Sequence, residues 1–534
     1  MANKLGAIAG IILLISSYNL YRRRRSIQSI PGPTSPSWTF GHMLQLFLPI
    51  EYGDNEFAWL KSFGAVYRIK GCFGQDRLLV SDPAALQYIL NNPRIFPHGP
   101  GQKIGIDLVF PEKCVMREHG DVHKRLRAAL NPSFTGAAVR NYQPIFERVA
   151  QNIIEKLEES SASPINVCPI LSEATLSTVC EAALGYTFHD LDKDFVVYNE
   201  RLLALSANQS QSQIIADAIM TRLPTWLLDS AMKLPSAAFE VIQTSKRLAI
   251  ELGMKIIDEK VELAQQGSVV ETDVFDALLD VTDSHSGKRK HALTREEIAA
   301  QTGMSLDRQF ENNHVDLSIG ILLVGGEDTT SNTLAFGLLE LAKDPILQEA
   351  LRAEIQSVGG SSSGFDNMPL LNAFVKETLR VYPVGPIQER ISMQDTVIPL
   401  SEPLKTTTGR LINEIPIPKG QIMNVAIASY QRLPSRWGGD SHTFRPSRWL
   451  DGGVTQGQAV GPYANLLSFL GGPRVCLGWR FAILEMQVFF SELISKCSFA
   501  LPEGSERITM RLAGSLTPVL PNGEKGVPLC VTRI

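Results

Sequence analysis

The sequence predicts a mainly α fold with a small β region, preceded by an N-terminal membrane-anchor helix. Three observations carry that expectation. Apolar residues recur with helical periodicity through residues 138–283 and again in later stretches. Alternating and β-branched residues are confined to short segments such as Val66 to Val80. The run Leu5 to Leu20 is nearly all apolar and ends on Tyr21 and four arginines, Arg22 to Arg25.

Composition narrows the class. The chain has 534 residues, 44% of them hydrophobic, and a net charge of −4, which excludes a disordered tail and a nucleic-acid binder acting by bulk charge. Its seven cysteines (Cys72, Cys114, Cys168, Cys180, Cys476, Cys497 and Cys530) are scattered and form no CxxC pair. A disulfide scaffold or zinc site is therefore not expected, and a reducing compartment is.

Along the chain, residues 1–25 are expected to be an uncleaved anchor. The run is slightly short of the roughly 20 residues of a full span, but its end residues can snorkel. No small-x-small cleavage site follows it. Four arginines after the run against one lysine before it place the C-terminal side in the cytosol, where the sequon Asn208-Gln209-Ser210 carries no glycan. Pro31-Gly32-Pro33 stiffens a hinge over residues 26–40, leaving 41–534 as the main domain. Val66 to Val80 reads as a strand pair, Pro83 to Leu90 as a short helix and Pro93 to Gly120 as a Gly/Pro-rich loop. His123 and Arg127 stand four apart on one helix face, with Lys124 and Arg125 turned outward. Amphipathic helices are expected over Val139–Glu158, Leu171–Leu184, Glu200–Leu223 and Ala237–Gln266. Leu317 to Leu341 is a strongly apolar helix interrupted by Gly325-Gly326-Glu327-Asp328-Thr329-Thr330. Glycines, acids and hydroxyl residues in mid-helix cost stability, so a functional groove is expected there. Asp344-Pro345 begins another helix, and Glu377 and Arg380 share a face at i and i+3.

The most informative stretch is Phe469-Leu470-Gly471-Gly472-Pro473-Arg474-Val475-Cys476-Leu477-Gly478, followed by an apolar helix from Trp479. Cys476 sits where a loop feeds a helix N-terminus, a place that favours a thiolate and suits a single soft ligand for haem iron. Gly472 and Gly478 would let backbone approach a flat cofactor, and Arg474 offers a donor fork to a carboxylate.

The spacing F-x-x-G-x-R-x-C-x-G resembles the haem-binding signature of the cytochrome P-450 family. Gly325 to Thr330 resembles its oxygen-activation motif, and Glu377-Thr378-Leu379-Arg380 its E-x-x-R. The resemblance runs from about residue 30 to the C-terminus. It implies a triangular, mostly helical domain that performs haem-thiolate monooxygenation. Cys476 would be the axial ligand of haem b, with Phe469 and Gly478 in the same signature. His123 (where the family commonly has tryptophan), Arg127, Arg390 and Arg474 would meet the propionates. Asp328 would relay protons, and Thr329 would hydrogen-bond at the oxygen site. Glu377, Arg380 and Arg448 would fix the loop behind the haem. Ile321, Val324, Gly325, Val384, Pro386 and Ile387 would line an apolar pocket, with Leu512 to Leu516 as its last wall and Leu202 to Leu234 as its lid. That lining favours a lipophilic substrate, and the chain is similar to fungal microsomal members that decorate terpenoids and other secondary metabolites. An enzyme anchored in the endoplasmic reticulum and facing the cytosol would draw electrons from an NADPH-dependent reductase, with cytochrome b5 as a second donor.

One segment departs from the pattern. Met304 to Gly320 separates two pieces that each resemble the same long helix, and its seventeen residues would rotate the helix face by roughly 260°. It is read as an unremoved intron, against a genuine surface loop. The rival functions are a haem-thiolate isomerase or dehydratase, and a haem-binding protein inactivated by that insertion.

Overall fold

The computed structural model describes residues 27–534 apart from 111–113, 160–163, 188–192, 208, 224–235, 246, 249–250, 252–320, 360–363, 456 and 505–506. The apolar run Leu5–Leu20, its arginine cluster, the insertion 304–320 and most of the helix expected over Ala237–Gln266 lie outside the described residues. Among the described residues no helix is long and apolar enough to cross a membrane.

The mainly α expectation holds. The proline-rich segment is packed rather than hanging free: Ile27 and Ile30 are buried, and Pro31 O accepts the Arg68 N–H at 2.8 Å. Helices α1 (Met43–Phe47) and α2 (Asp54–Phe63) lead into the expected strand pair, β1 (Val66–Lys70) and β2 (Asp76–Val80), which is antiparallel. Helix α3 (Pro83–Asn91) starts on Asp82, whose carboxylate accepts the Ala85 N–H at 3.0 Å, with proline in the first turn. The expected loop from Pro93 to Gly120 instead holds a helix, α4 (Pro100–Val109). Two glycines within it weakened the sequence signal, but tertiary contacts outweigh propensity. Glu389 accepts the Gly101 N–H at 2.9 Å, tying this helix to the sheet.

Helices α5 (Gly120–Leu130), α6 (Gly136–Asn141), α7 (Gln143–Glu159) and α8 (Val167–Leu184) follow. The single helix expected over Glu200–Leu223 is two, α9 (Lys193–Ala207) and α10 (Gln211–Met220). Ser210 breaks it with extended backbone, its hydroxyl capping the Gln213 N–H at 3.2 Å. After the undescribed stretch come α11 (Ile321–Lys343), α12 (Pro345–Ser357, capped by Asp344), α13 (Pro369–Val381) and α14 (Trp479–Lys496).

Two glycines of α11 mark close helix packing. A Cβ at Gly326 would stand 2.2 Å from Val179 Cγ2 of α8, and one at Gly337 would stand 2.3 Å from Phe490 of α14. Contacts at that range offset the roughly 1 kcal/mol that a mid-helix glycine costs. The β region is small. One sheet runs β1-β2-β7-β4, with β4 at Ile387–Ile391 and β7 at Ile422–Ala426, while β5 (Thr396–Lys405) pairs with β6 (Leu411–Ile417), and β3 (Ile165–Asn166) and β8 (Cys497–Ala500) flank the last strand, Pro528–Arg533. Near the C-terminus, β9 (Thr509–Ala513) and β10 (Ser515–Val519) form a hairpin that meets α11. A satellite apolar cluster of Met43, Trp59, Tyr67, Ile69 and Ile214 joins α1, α2 and α10 to the sheet, apart from the main core.

Candidate active site

The loop before α14 is held in one shape. Cys476 N–H donates to Phe469 O at 2.8 Å, closing the turn on itself. Gly472 has φ +65, and a Cβ there would stand 2.3 Å from Leu90 O, so only glycine fits. Gly478 has ordinary φ, and its Cβ would meet nothing nearer than Phe134 at 3.9 Å. Five of the other six cysteines are buried and Cys530 is half-buried, while Cys476 is exposed. It nonetheless lies deep inside the protein, so its thiol borders an internal space. Burial pushes this thiol up, against the Gly478 N–H and Arg127, which lower it. The helix-end expectation is thus half right. The N–H is there, but desolvation outweighs it, and a metal ion is what would replace the proton.

Around this loop stands a cluster of cations. His123 and Arg127 lie on one face of α5 as expected, His123 buried. Burial, then Arg474 and Arg127, hold His123 neutral down to about 4. Arg390, 3% exposed, spends its Nη1 on His98 Nδ1 at 3.2 Å, Gln102 Oε1 at 3.0 Å and Glu389 O at 2.9 Å. Arg474 donates to Val115 O at 3.0 Å, to Glu118 O and to His119 Nδ1 at 2.7 Å. Part of its fork is therefore committed to the approach to α5. Burial and then mutual repulsion lower the guanidinium groups: Arg474, with Arg127 beside it, to about 10, and Arg390, with Arg474 beside it, to about 10. Among the described residues, none of Arg127, Arg390 and Arg474 has an ion-pair partner. Like charges this close and partly buried, with Arg390 wholly inside, call for a ligand bearing carboxylates. With one inward-facing thiol, that donor set fits haem.

The oxygen-site motif occupies the start of the described part of α11. Gly325 is exposed and its Cβ would meet open space, while Gly326 faces α8. Thr329, also exposed, donates its hydroxyl to Gly325 O at 2.8 Å. From Thr330 to Ala342 every residue is buried, so this exposed corner is local. Asp328 points elsewhere, pairing with Lys525 at 3.0 Å. Of the expected pocket, Val384 is buried yet belongs to neither packed cluster, and Leu516 N–H donates to its carbonyl at 2.8 Å. Ile387 is half-buried on β4. The side chains of Ile321 and Val324 lie outside the described residues.

The scaffold motif closes as an ion triad. Glu377 takes both Arg380 Nη2 at 2.8 Å and Arg448 Nε at 3.0 Å, all three fully buried. Trp449 Nε1 at 2.9 Å and Arg445 N–H at 2.8 Å complete the carboxylate's shell. Arg448 also pairs with Asp440 at 2.7 Å.

Sequence reasoning missed His98, His119, Lys525 and Glu485. Glu485, on the helix that follows Cys476, accepts from Thr178 of α8 and from Thr330 of α11, tying the thiol helix to the oxygen-site helix. Burial pushes its carboxyl up to about 8. The basic face of α5 is also less bare than expected, because Asp121 pairs with Lys124 at 3.5 Å.

The family model for cytochrome P-450 matches residues 30–523. Cytochrome P-450 monooxygenase 91 of Postia placenta is 30% identical over 539 residues, covering 95% of this chain and 94% of that one. Monooxygenase 212 of the same fungus is 30% identical over 540 residues, covering 95% of each. Cytochrome P-450 monooxygenase claU of Ampulloclitocybe clavipes is 27% identical over 556 residues, covering 99% of this chain and 96% of that one.

Proposed function

The chain belongs to the cytochrome P-450 family, and from that premise we propose a membrane-anchored monooxygenase that oxidises a lipophilic small molecule of secondary metabolism, with terpenoids the first class to test. The enzyme class itself is a haem-thiolate monooxygenase supplied with electrons by a reductase. The haem, when bound, activates oxygen; this chain's residues bind, orient and move protons. Cys476 would supply a thiolate to the haem iron, and Arg127, Arg390, Arg474 and neutral His123 would hold its propionates. Asp328 takes up protons from solvent, and Thr329 passes them on at its hydroxyl. Glu377, Arg380 and Arg448 hold the loop beneath. Val384, Ile387 and Gly325, with Ile321 and Val324, form the substrate wall.

The observation that carries this reading is the inward exposure of Cys476 beside arginines that form no ion pair among the described residues. Residues 1–25 would anchor the domain 41–534 to the endoplasmic reticulum membrane through the hinge at 26–40. The exposed Trp38, Ile219 and Leu223 beside the satellite cluster would rest on the same membrane. Lys124 and Arg125 would meet an acidic face of the reductase. The insertion 304–320 is read as retained intron, so a transcript keeping those bases in active enzyme would refute that point alone.

Reconstitution tests the function. The full chain with an NADPH-dependent reductase and a panel of terpenoids should consume NADPH and yield a product heavier by one oxygen. If no substrate on a broad lipophilic panel gives product although haem is bound and reduced, the monooxygenase assignment to lipophiles is wrong.

A further inference from the structure

Helix α4 is weak taken alone. It has ten residues, two of them glycines, and Ile106 is its one buried side chain. Its N-cap is Gly99, which brings no side chain to the open N–H groups of the first turn. What holds it comes from β4, 288 positions further along the chain.

Residues 95–99 first lie along the outer edge of that strand. Met393 N–H donates to Ile95 O at 2.9 Å, Ile391 N–H to Pro97 O at 3.2 Å, and Gly99 N–H to Glu389 O at 3.0 Å. Three successive side chains of β4 then reach the first turn of α4. Glu389 Oε1 accepts the Gly101 N–H at 2.9 Å while its Oε2 is fixed by Arg77 at 2.6 Å, so the carboxylate caps the helix from outside. A Cβ on Gly99 would stand 2.3 Å from Glu389 Cγ, which closes the cap position to a larger residue. Gln388 Oε1 accepts from Gln102 Nε2, and Arg390 Nη1 donates to Gln102 Oε1 at 3.0 Å. Gln102 thus bridges Gln388 and Arg390, which share one side of the strand. The other donors of Arg390, Nε and Nη2, have no partner among the described residues. One end of this arginine is committed to the α4 turn, and the rest of its fork is left for a carboxylate.

We propose that Gln102 is a positioning residue for the haem: it holds Arg390 in the conformation whose open fork meets a propionate, and the same bond orders α4. The role rests on the reading of Arg390 as a propionate ligand. A bond shared by two events couples them in both directions. A carboxylate on the fork fixes Arg390 and so firms the first turn of α4. A loosened α4 frees Arg390 and weakens the hold on haem. Because α4 packs on the strand that carries Ile387 of the proposed substrate wall, loading the cofactor also completes that wall.

Gln102 is half-buried on an outer helix, so Gln102→Leu should keep the fold. The test compares holoenzyme forms of Gln102→Leu, Arg390→Gln (or Arg390→Met, if the first yields no holoprotein) and the double variant. The readouts are the rate of haem transfer to apomyoglobin and amide hydrogen exchange over residues 101–106. The arginine variant should quicken haem transfer about tenfold and Gln102→Leu about threefold, and each should speed exchange in α4 about tenfold. The double variant should lose haem no faster than the arginine variant, because the amide acts only through Arg390. Haem transfer or α4 exchange unchanged in Gln102→Leu, or losses that multiply in the double variant, would overturn the role of Gln102 and leave that of Arg390 standing. Haem transfer unchanged in the arginine variant would refute the propionate reading of Arg390 and the coupling with it.

Discussion

Arginine plays opposite parts in two regions of this molecule. Behind the thiol loop, Arg380 and Arg448 are fully buried, and each bonds Glu377, with backbone carbonyls taking further donors. Around that loop, Arg127, Arg390 and Arg474 form no ion pair among the described residues; burial lowers all three guanidinium groups, and a neighbouring arginine lowers those of Arg390 and Arg474 further. A buried charge is tolerated when its partner is built in, and it marks a binding site when its partner must arrive. On the proposed function the first region is scaffold and the second is receptor.

That contrast can be broken by mutation. Glu377→Ala should have the largest effect, because it leaves the buried Arg380 without a carboxylate and Arg448 with Asp440 alone, at a cost of about 3–5 kcal/mol. Little soluble holoprotein should accumulate, as read from haem per polypeptide and thermal denaturation, and a stable variant would show the triad to be dispensable. Arg127→Ala should act on the ligand rather than the fold. Haem transfer to apomyoglobin should quicken about tenfold, the loss expected for one charge-assisted hydrogen bond, with secondary structure unchanged. A fall in folding as severe as that of Glu377→Ala would erase the distinction between the two regions.

The smallest effect lies in acid stability. Burial, then Arg390, holds His98 neutral down to about 3, and burial, then Arg474, does so for His123 to about 4. Below an unfolded-state value near 6.5 the unfolded chain binds protons that the folded one refuses, so stability falls as pH falls. The double variant His98→Gln, His123→Gln should lose stability less steeply between pH 6.5 and 4 in denaturant titrations. An unchanged slope would mean that these histidines accept protons in the folded state.

What was legible in the sequence is what neighbours along the chain decide. Asp344 before Pro345 announces α12, and Gly472 announces the left-handed turn that its contact with Leu90 requires. Glu377 and Arg380 pair across three residues, so their face could be read directly. The rest depends on distant partners. Lys525 reaches Asp328 across 197 positions, and His98 reaches Arg390 across 292. No local pattern encodes either meeting. Helix α4 was missed for the same reason, since Glu389, far along the chain, fixes its first turn. Ser210 did carry a local signal, a capping serine, but the apolar periodicity on both sides concealed it.

The central claim is that Cys476 donates its sulfur to haem iron. The most direct measurement is the absorbance difference spectrum of the purified, reduced protein under carbon monoxide, recorded beside Cys476→Ala. The account predicts the red-shifted Soret band of thiolate ligation in the first and its loss in the second. A wild-type protein that binds haem without that band, or a variant that keeps it, would contradict the account.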